Sequence, residues 1–216
     1  MSLTTILHTI FFAIGLAIAL PVHEYAHAWM SVRLGDLTPR NEGRLTLNPR
    51  AHVDPLGSFI LPGIILLPIL FGRSLWPPFA YGKPQGQNPW TLRRRTRDAV
   101  LIALAGPAAN LLLAFAFGLA IRALGTGGRI GEFLVACLIV NVTFVVLNLV
   151  PLPPLDGARV LAQFLSPRPR EVFMSWEPLG PLFIIVIFFF LGGTIFDFVS
   201  AVGRGVCQLA AGLDCL

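Results

Sequence analysis

Pro21-Val22-His23-Glu24-Tyr25-Ala26-His27 closes an apolar run that begins near Thr4, and the nature of this stretch decides the nature of the chain. If the run is helical, as its unbroken hydrophobicity implies, His23 and His27 lie four residues apart and project from one face, close enough to share one metal ion. Glu24 then sits beside the ion rather than on it. This is the H-E-x-x-H pattern, in which two imidazoles hold Zn2+ and the glutamate takes a proton from metal-bound water. The motif alone is short enough to arise by accident, and its setting gives it weight. An ionisable side chain at mid-depth in a membrane helix costs at least about 2.5 kcal/mol, so His23, Glu24 and His27 together need a compensating partner, which a metal supplies. The plainer alternative is a segment that ends in water at Pro21, with both histidines ordinary interfacial residues.

Composition supports a membrane setting. Of 216 residues, 55% are hydrophobic and 12% charged, with a mean hydropathy of +0.75. That is more apolar surface than a soluble core of this size can hide. The N-terminus Met1-Ser2-Leu3-Thr4-Thr5 carries no basic residue, and the run continues into His23 instead of ending at a small-residue cleavage site, so the first helix is expected to be retained. In a soluble protein a net charge of +5 and a pI of about 9.9 would point to nucleic acid; in a polytopic one the same excess orients loops toward the cytoplasm, and no nucleic-acid partner is expected.

Stretches 4–32, 98–121, 131–150 and 179–202 are long enough to span, whereas 58–72 is short and interrupted by Pro62 and Pro68. Treating 58–72 as re-entrant puts 13 basic residues on one side (Arg33, Arg40, Arg44, Arg50, Arg73, Lys83, Arg93, Arg94, Arg95, Arg97, Arg159, Arg168 and Arg170) against 3 on the other (Arg122, Arg129 and Arg204). Letting it span gives 9 against 7, no bias at all. The sequence therefore predicts a mainly α, polytopic bundle of about four spanning helices with both termini outside and a re-entrant, Pro-interrupted segment. It reads as one integral-membrane domain over 1–216, with a catalytic core at about 4–165, a C-terminal helix at 179–202 and a short tail. Cys137 reads as a small packing residue, and Cys207 and Cys215, in the tail outside, as a pair able to keep a disulfide.

Between the helices, Arg44-Leu45-Thr46-Leu47 alternates as a short strand would, predicting a small β element at the membrane edge. Such an edge could hold an extended substrate by backbone pairing. His52 and Asp54 form a second polar cluster: they either reach the active centre as partners of its ligands or fix a turn through side-chain to backbone bonds. Ala80-Tyr81-Gly82-Lys83-Pro84 and Asn88-Pro89 have turn chemistry without an evident catalytic group. Ala105-Gly106-Pro107-Ala108-Ala109-Asn110 combines small residues, which let helices approach closely, with one intramembrane amide, Asn110, most simply a helix-to-helix hydrogen bond and otherwise a partner of the metal ligands or of the substrate.

The third spanning helix ends in Asn148-Leu149-Val150-Pro151-Leu152-Pro153-Pro154-Leu155-Asp156-Gly157. The prolines break it, and Asp156 falls at the break, where an acidic group needs a positive partner. A catalytic zinc site has three protein ligands and a water. Asp156 is preferred over Asp36, Asp54 and Asp98 as the third, because it lies in a helix break between two membrane segments on the side where the first helix ends.

With these residues assembled, the chain resembles the site-2 protease family of intramembrane zinc metalloproteases. The matching pieces are His23-Glu24-Tyr25-Ala26-His27, Asn48-Pro49 through His52, Asp54-Pro55 with Gly57, Gly82-Lys83-Pro84, Gly106-Pro107 with Asn110, and Asn148 through Pro151, Pro153 and Leu155-Asp156-Gly157, in family order over about 20–165. The resemblance implies one zinc per chain on His23, His27 and Asp156, Glu24 as general base and later acid, and Asn148 as the residue that positions or polarises the substrate carbonyl. It also implies cleavage within the membrane helix of a single-span substrate, with the active site toward the cytoplasmic side of a prokaryotic cell membrane. A PDZ insertion or CBS domains have no room, which points to the minimal subgroup. Two other classes share the broken polar helices: a transporter or channel whose ion path they line, and a non-catalytic zinc-binding scaffold.

Overall fold

Lipid offers no hydrogen-bond partner, so each long apolar segment has to satisfy its backbone internally, and it does so as helix. The computed structural model describes residues 3–70, 78–83 and 85–212. In chain order the α-helices are α1 (Leu3–Arg33), α2 (Thr38–Asn41), α3 (Leu61–Leu70), α4 (Arg95–Leu124), α5 (Gly128–Asn148), α6 (Asp156–Ala162), α7 (Pro167–Met174) and α8 (Gly180–Ala211). Among the described residues, four helices are long and apolar enough to cross a membrane: α1, α4, α5 and, within α8, Phe189–Ala211. The protein is an integral, multi-pass membrane protein.

Small residues bring the crossings together. A Cβ on Gly15 of α1 would stand 3.1 Å from Val140 of α5, Ala19 of α1 is buried in one core with Val140 and Phe144, and Ala103 and Ala114 of α4 are buried. On the far side of α4, a Cβ on Gly118 would stand 2.6 Å from that of Ala210 in α8. That contact corrects one expectation. The last helix does not stop near residue 202; it continues to Ala211 and ends at Gly212 in the left-handed region, φ 72°. Val199, Val206, Cys207 and Ala211 form a stripe that packs with Ala114, Ile121, Leu138 and Val142, which holds the extra turns helical. Cys207 is thus buried in α8 rather than in a tail, and the expected pairing falls on Cys215, outside the described residues.

The Pro-interrupted stretch forms a π-helical turn at Leu56–Ile60 and then α3, whose 10 residues cover only ~15 Å, about half the hydrocarbon thickness. It is not one of the four candidate crossings, and its buried Leu61 and Ile65 share a core with Leu16 and Leu20 of α1. Residues 71 and 72 lie outside the described range. A second correction concerns the β element: among the described residues there is no strand. Arg44 turns back instead, its N–H donating to Pro39 O at 2.8 Å and its buried guanidinium to Ala51 O at 2.7 Å. These bonds close the 39–51 loop on itself.

Candidate metal centre

His23 and His27 face α4, where Gly106 makes room for them: a Cβ at that position would collide with His27 Nε2 and stand 2.6 Å from His23 Cε1. The close approach fixes both rings by their inner nitrogens. His27 Nδ1 lies 2.7 Å from Ile102 O, an atom that only accepts, so Nδ1 carries the proton. His23 Nδ1 lies 2.7 Å from Asn110 Oδ1. The Asn110 amide is oriented by its nitrogen, which donates to Ala19 O at 3.2 Å and Asn141 Oδ1 at 2.9 Å, while Asn141 donates in turn to Cys137 O at 2.8 Å. Asn110 Oδ1 is therefore an acceptor too, and His23 Nδ1 is a donor.

The outer nitrogens are consequently bare. His23 Nε2 and His27 Nε2 stand 3.0 Å apart, and Asp156 Oδ2 lies 3.1 Å from each. Three lone pairs converge on one point with all three residues buried, an arrangement that repels itself unless a cation sits among them. The spacing fits zinc: ligand atoms bonded at about 2.0–2.1 Å to one tetrahedral ion stand roughly 3.3 Å from one another. No other group of three His, Cys, Asp or Glu side chains is close enough to share an ion among the described residues.

Asp156 is delivered by a fold-back after α5. It opens α6, and a Cβ on Gly157 would collide with the Leu149 carbonyl and crowd that of Val150, so only glycine lets α6 start against the end of α5. A zinc site takes its carboxylate ligand as an anion, and Asp156 is the carboxyl that this fold-back places against the two imidazoles. The three groups line a cavity of about 290 Å³ shared with Glu24, Tyr81, Gln85 and Asn148.

No protein-family model and no solved structure matches the chain. Curated relatives do. The chain is 30% identical over 188 residues, 82% of its length and 80% of the relative's, to "Putative zinc metalloprotease YwhC" of Bacillus subtilis (strain 168). The chain belongs to the site-2 protease family of zinc metalloproteases. Two proteins named "Putative zinc metalloprotease Rip2" agree: that of Mycolicibacterium smegmatis is 33% identical over 175 residues and that of Mycobacterium tuberculosis H37Rv 32% over 184, covering 80% and 81% of this chain and 64% of each relative.

In this site-2 protease the remaining expected residues separate. Asn148, buried at the end of α5, lines the cavity; its nitrogen donates to Phe144 O at 3.0 Å and keeps a second N–H. Asn110 is both things considered from the sequence, a bond between helices and the partner that orients His23. Asp54 fixes a turn, its Oδ1 accepting from Leu56 N at 3.0 Å and Gly57 N at 2.8 Å, while its side chain borders the cavity. His52 is not brought to the centre. It is fully buried against Thr46 O at 2.7 Å, and its carbonyl accepts from Lys83 N at 2.9 Å.

Three cavity residues were not singled out from the sequence. Tyr81 packs its ring against Gly57, and burial, with Asp54 nearby, pushes its hydroxyl up to about 12, so it stays a donor at neutral pH. Arg159, one turn beyond Asp156, pairs with Glu177 at 3.2 Å at the cavity rim. Gln85 touches Glu24 directly. A first test bears on Asn110. Replacing it with Ala strands the His23 Nδ1 proton and the Asn141 oxygen, and zinc affinity is expected to fall 10–100-fold, read by competition with a chromophoric chelator.

Proposed function

We propose that the protein is an intramembrane endopeptidase that hydrolyses a peptide bond within or beside the membrane helix of a single-span substrate, using one zinc ion on His23, His27 and Asp156. The observation that carries this reading is the convergence of three unprotonated ligand atoms, 3.0–3.1 Å apart, beside a carboxylate in a cavity between membrane helices. Zinc, when bound, polarises the scissile carbonyl and makes a water acidic near neutral pH. Glu24 takes the proton from the attacking water and later returns it to the leaving nitrogen. Asn148 gives its free N–H to the substrate carbonyl as charge develops there. A helical substrate hides its carbonyls in its own hydrogen bonds, so it has to unwind first, which favours Gly, Pro or Asn near the cut. The excess of Lys and Arg on the loops before α4 and after α5 supports a site open to the cytoplasmic side of a cell membrane.

The decisive experiment uses the full chain in lipid vesicles with single-span substrates, before and after chelation verified by metal analysis. Cleavage is expected to disappear with zinc and return when zinc is restored; cleavage that persists in verified zinc-free protein rejects the reading.

A further inference from the structure

A glutamate side chain turns about three bonds, and a base that swings is a poor base, so what holds Glu24 matters. Gln85 meets it twice, its nitrogen 2.6 Å from the Glu24 carbonyl oxygen and 3.0 Å from Glu24 Oε2. Both contacts are acceptors, which identifies the amide end facing Glu24 as the NH2 group with both protons in use. The opposite carboxylate oxygen rests on Gly82, where a Cβ would stand 2.7 Å from Oε1 and 2.9 Å from Cδ. Gln85 itself is 9% exposed, its Oε1 is buried without a hydrogen-bond partner, and it forms wall common to the catalytic cavity and a neighbouring polar cavity of about 630 Å³.

We propose that Gln85 is the positioning residue of Glu24: one amide clamps the backbone and one carboxylate oxygen of the same residue, which fixes the side-chain torsions and leaves Oε1 as the oxygen free to take the proton. The inference rests on the reading of Glu24 as the base. Holding the loop in place is the competing role, and other bonds already perform it: Asn88 N to Asp36 Oδ2 at 2.9 Å, Lys83 N to His52 O at 2.9 Å and Tyr81 N to Gly57 O at 3.1 Å. Losing the Gln85 amide therefore frees the carboxylate without freeing the loop.

Gln85→Met keeps the length and removes the donor; Gln85→Glu keeps the shape and sets an acceptor against an acceptor. Both are expected to bind one zinc, with kcat lower by about 10–100-fold and KM within about twofold, the scale of a misplaced catalytic group, and Gln85→Met, which adds no charge, is expected to unfold at the wild-type temperature. In a Glu24→Gln background, Gln85→Met is expected to change the residual rate no further. A wild-type kcat in Gln85→Met overturns the clamp, as does a loss of activity in both variants that follows lost zinc or a lower unfolding temperature. If Glu24→Gln still cleaves, the base assignment fails; if it is inactive while Gln85→Met is normal, the clamp alone fails.

Discussion

Glu24→Gln is expected to keep one zinc per chain and to lose 10²–10⁴-fold in cleavage rate, the usual contribution of a positioned proton acceptor. The substitution removes the charge and the basic lone pair but almost no volume, and none of the bonds that build the metal centre passes through Glu24. His23 leans on Asn110, His27 on Ile102 O, and Asp156 meets both imidazoles. Metal content and unfolding temperature should therefore stay at wild-type values while product disappears from a mass-spectrometric cleavage assay. The combination separates the classes that the sequence left open. A transporter built on the same broken helices shows no cleavage in the unmutated chain, and an inert zinc scaffold loses nothing when Glu24 is changed. Zinc retained together with a rate within tenfold of wild type would remove Glu24 from the chemistry.

The parts of this site that were legible are those that local periodicity carries. His23 and His27 share a face because a helix repeats every 3.6 residues, and Asp156 stood out because an acid at a proline-broken membrane helix end needs a partner. The parts that were not legible depend on which surfaces meet. Gly106 looked like a packing residue, and it is, but what it packs against is the pair of imidazoles; Asn110 read as a bond between helices or a partner of the ligands, and nothing local says that its partner is a histidine 87 residues away. Gln85 sits in a stretch of Gly, Pro, Gln and Asn that reads only as a turn, and nothing local says that its side chain points at Glu24 rather than at water. Arg44–Leu47 failed for a related reason: four alternating residues are too few to fix a strand when a buried arginine can close the loop instead. The last helix reads as ending at 202, and packing of Val206 and Cys207 against α4 and α5, with Ala210 against Gly118, carries it further.

Asp156→Asn is expected to separate folding from metal binding. In the zinc-free wild type, the Asp156 oxygen faces two bare imidazole nitrogens at 3.1 Å each. An asparagine amide nitrogen at the same place is a double donor at hydrogen-bond distance from both, so it can satisfy the histidines with no ion at all. The zinc-free variant should then unfold at a higher temperature than the zinc-free wild type. The response to zinc should shrink. At free zinc a thousandfold above its Kd the wild type gains about 4.1 kcal/mol, whereas the variant has exchanged its anionic ligand for a neutral one whose donors block the centre. Loss of a mere supporting partner costs 10–100-fold in affinity; loss of the ligand itself should exceed 100-fold and remove at least about 2.7 kcal/mol of that gain. Thermal unfolding in detergent, with and without zinc, reads both effects on the same samples. Wild-type zinc affinity in Asp156→Asn would show that the third ligand lies elsewhere in the chain, and the geometry of the centre would then have to be explained without a metal on Asp156.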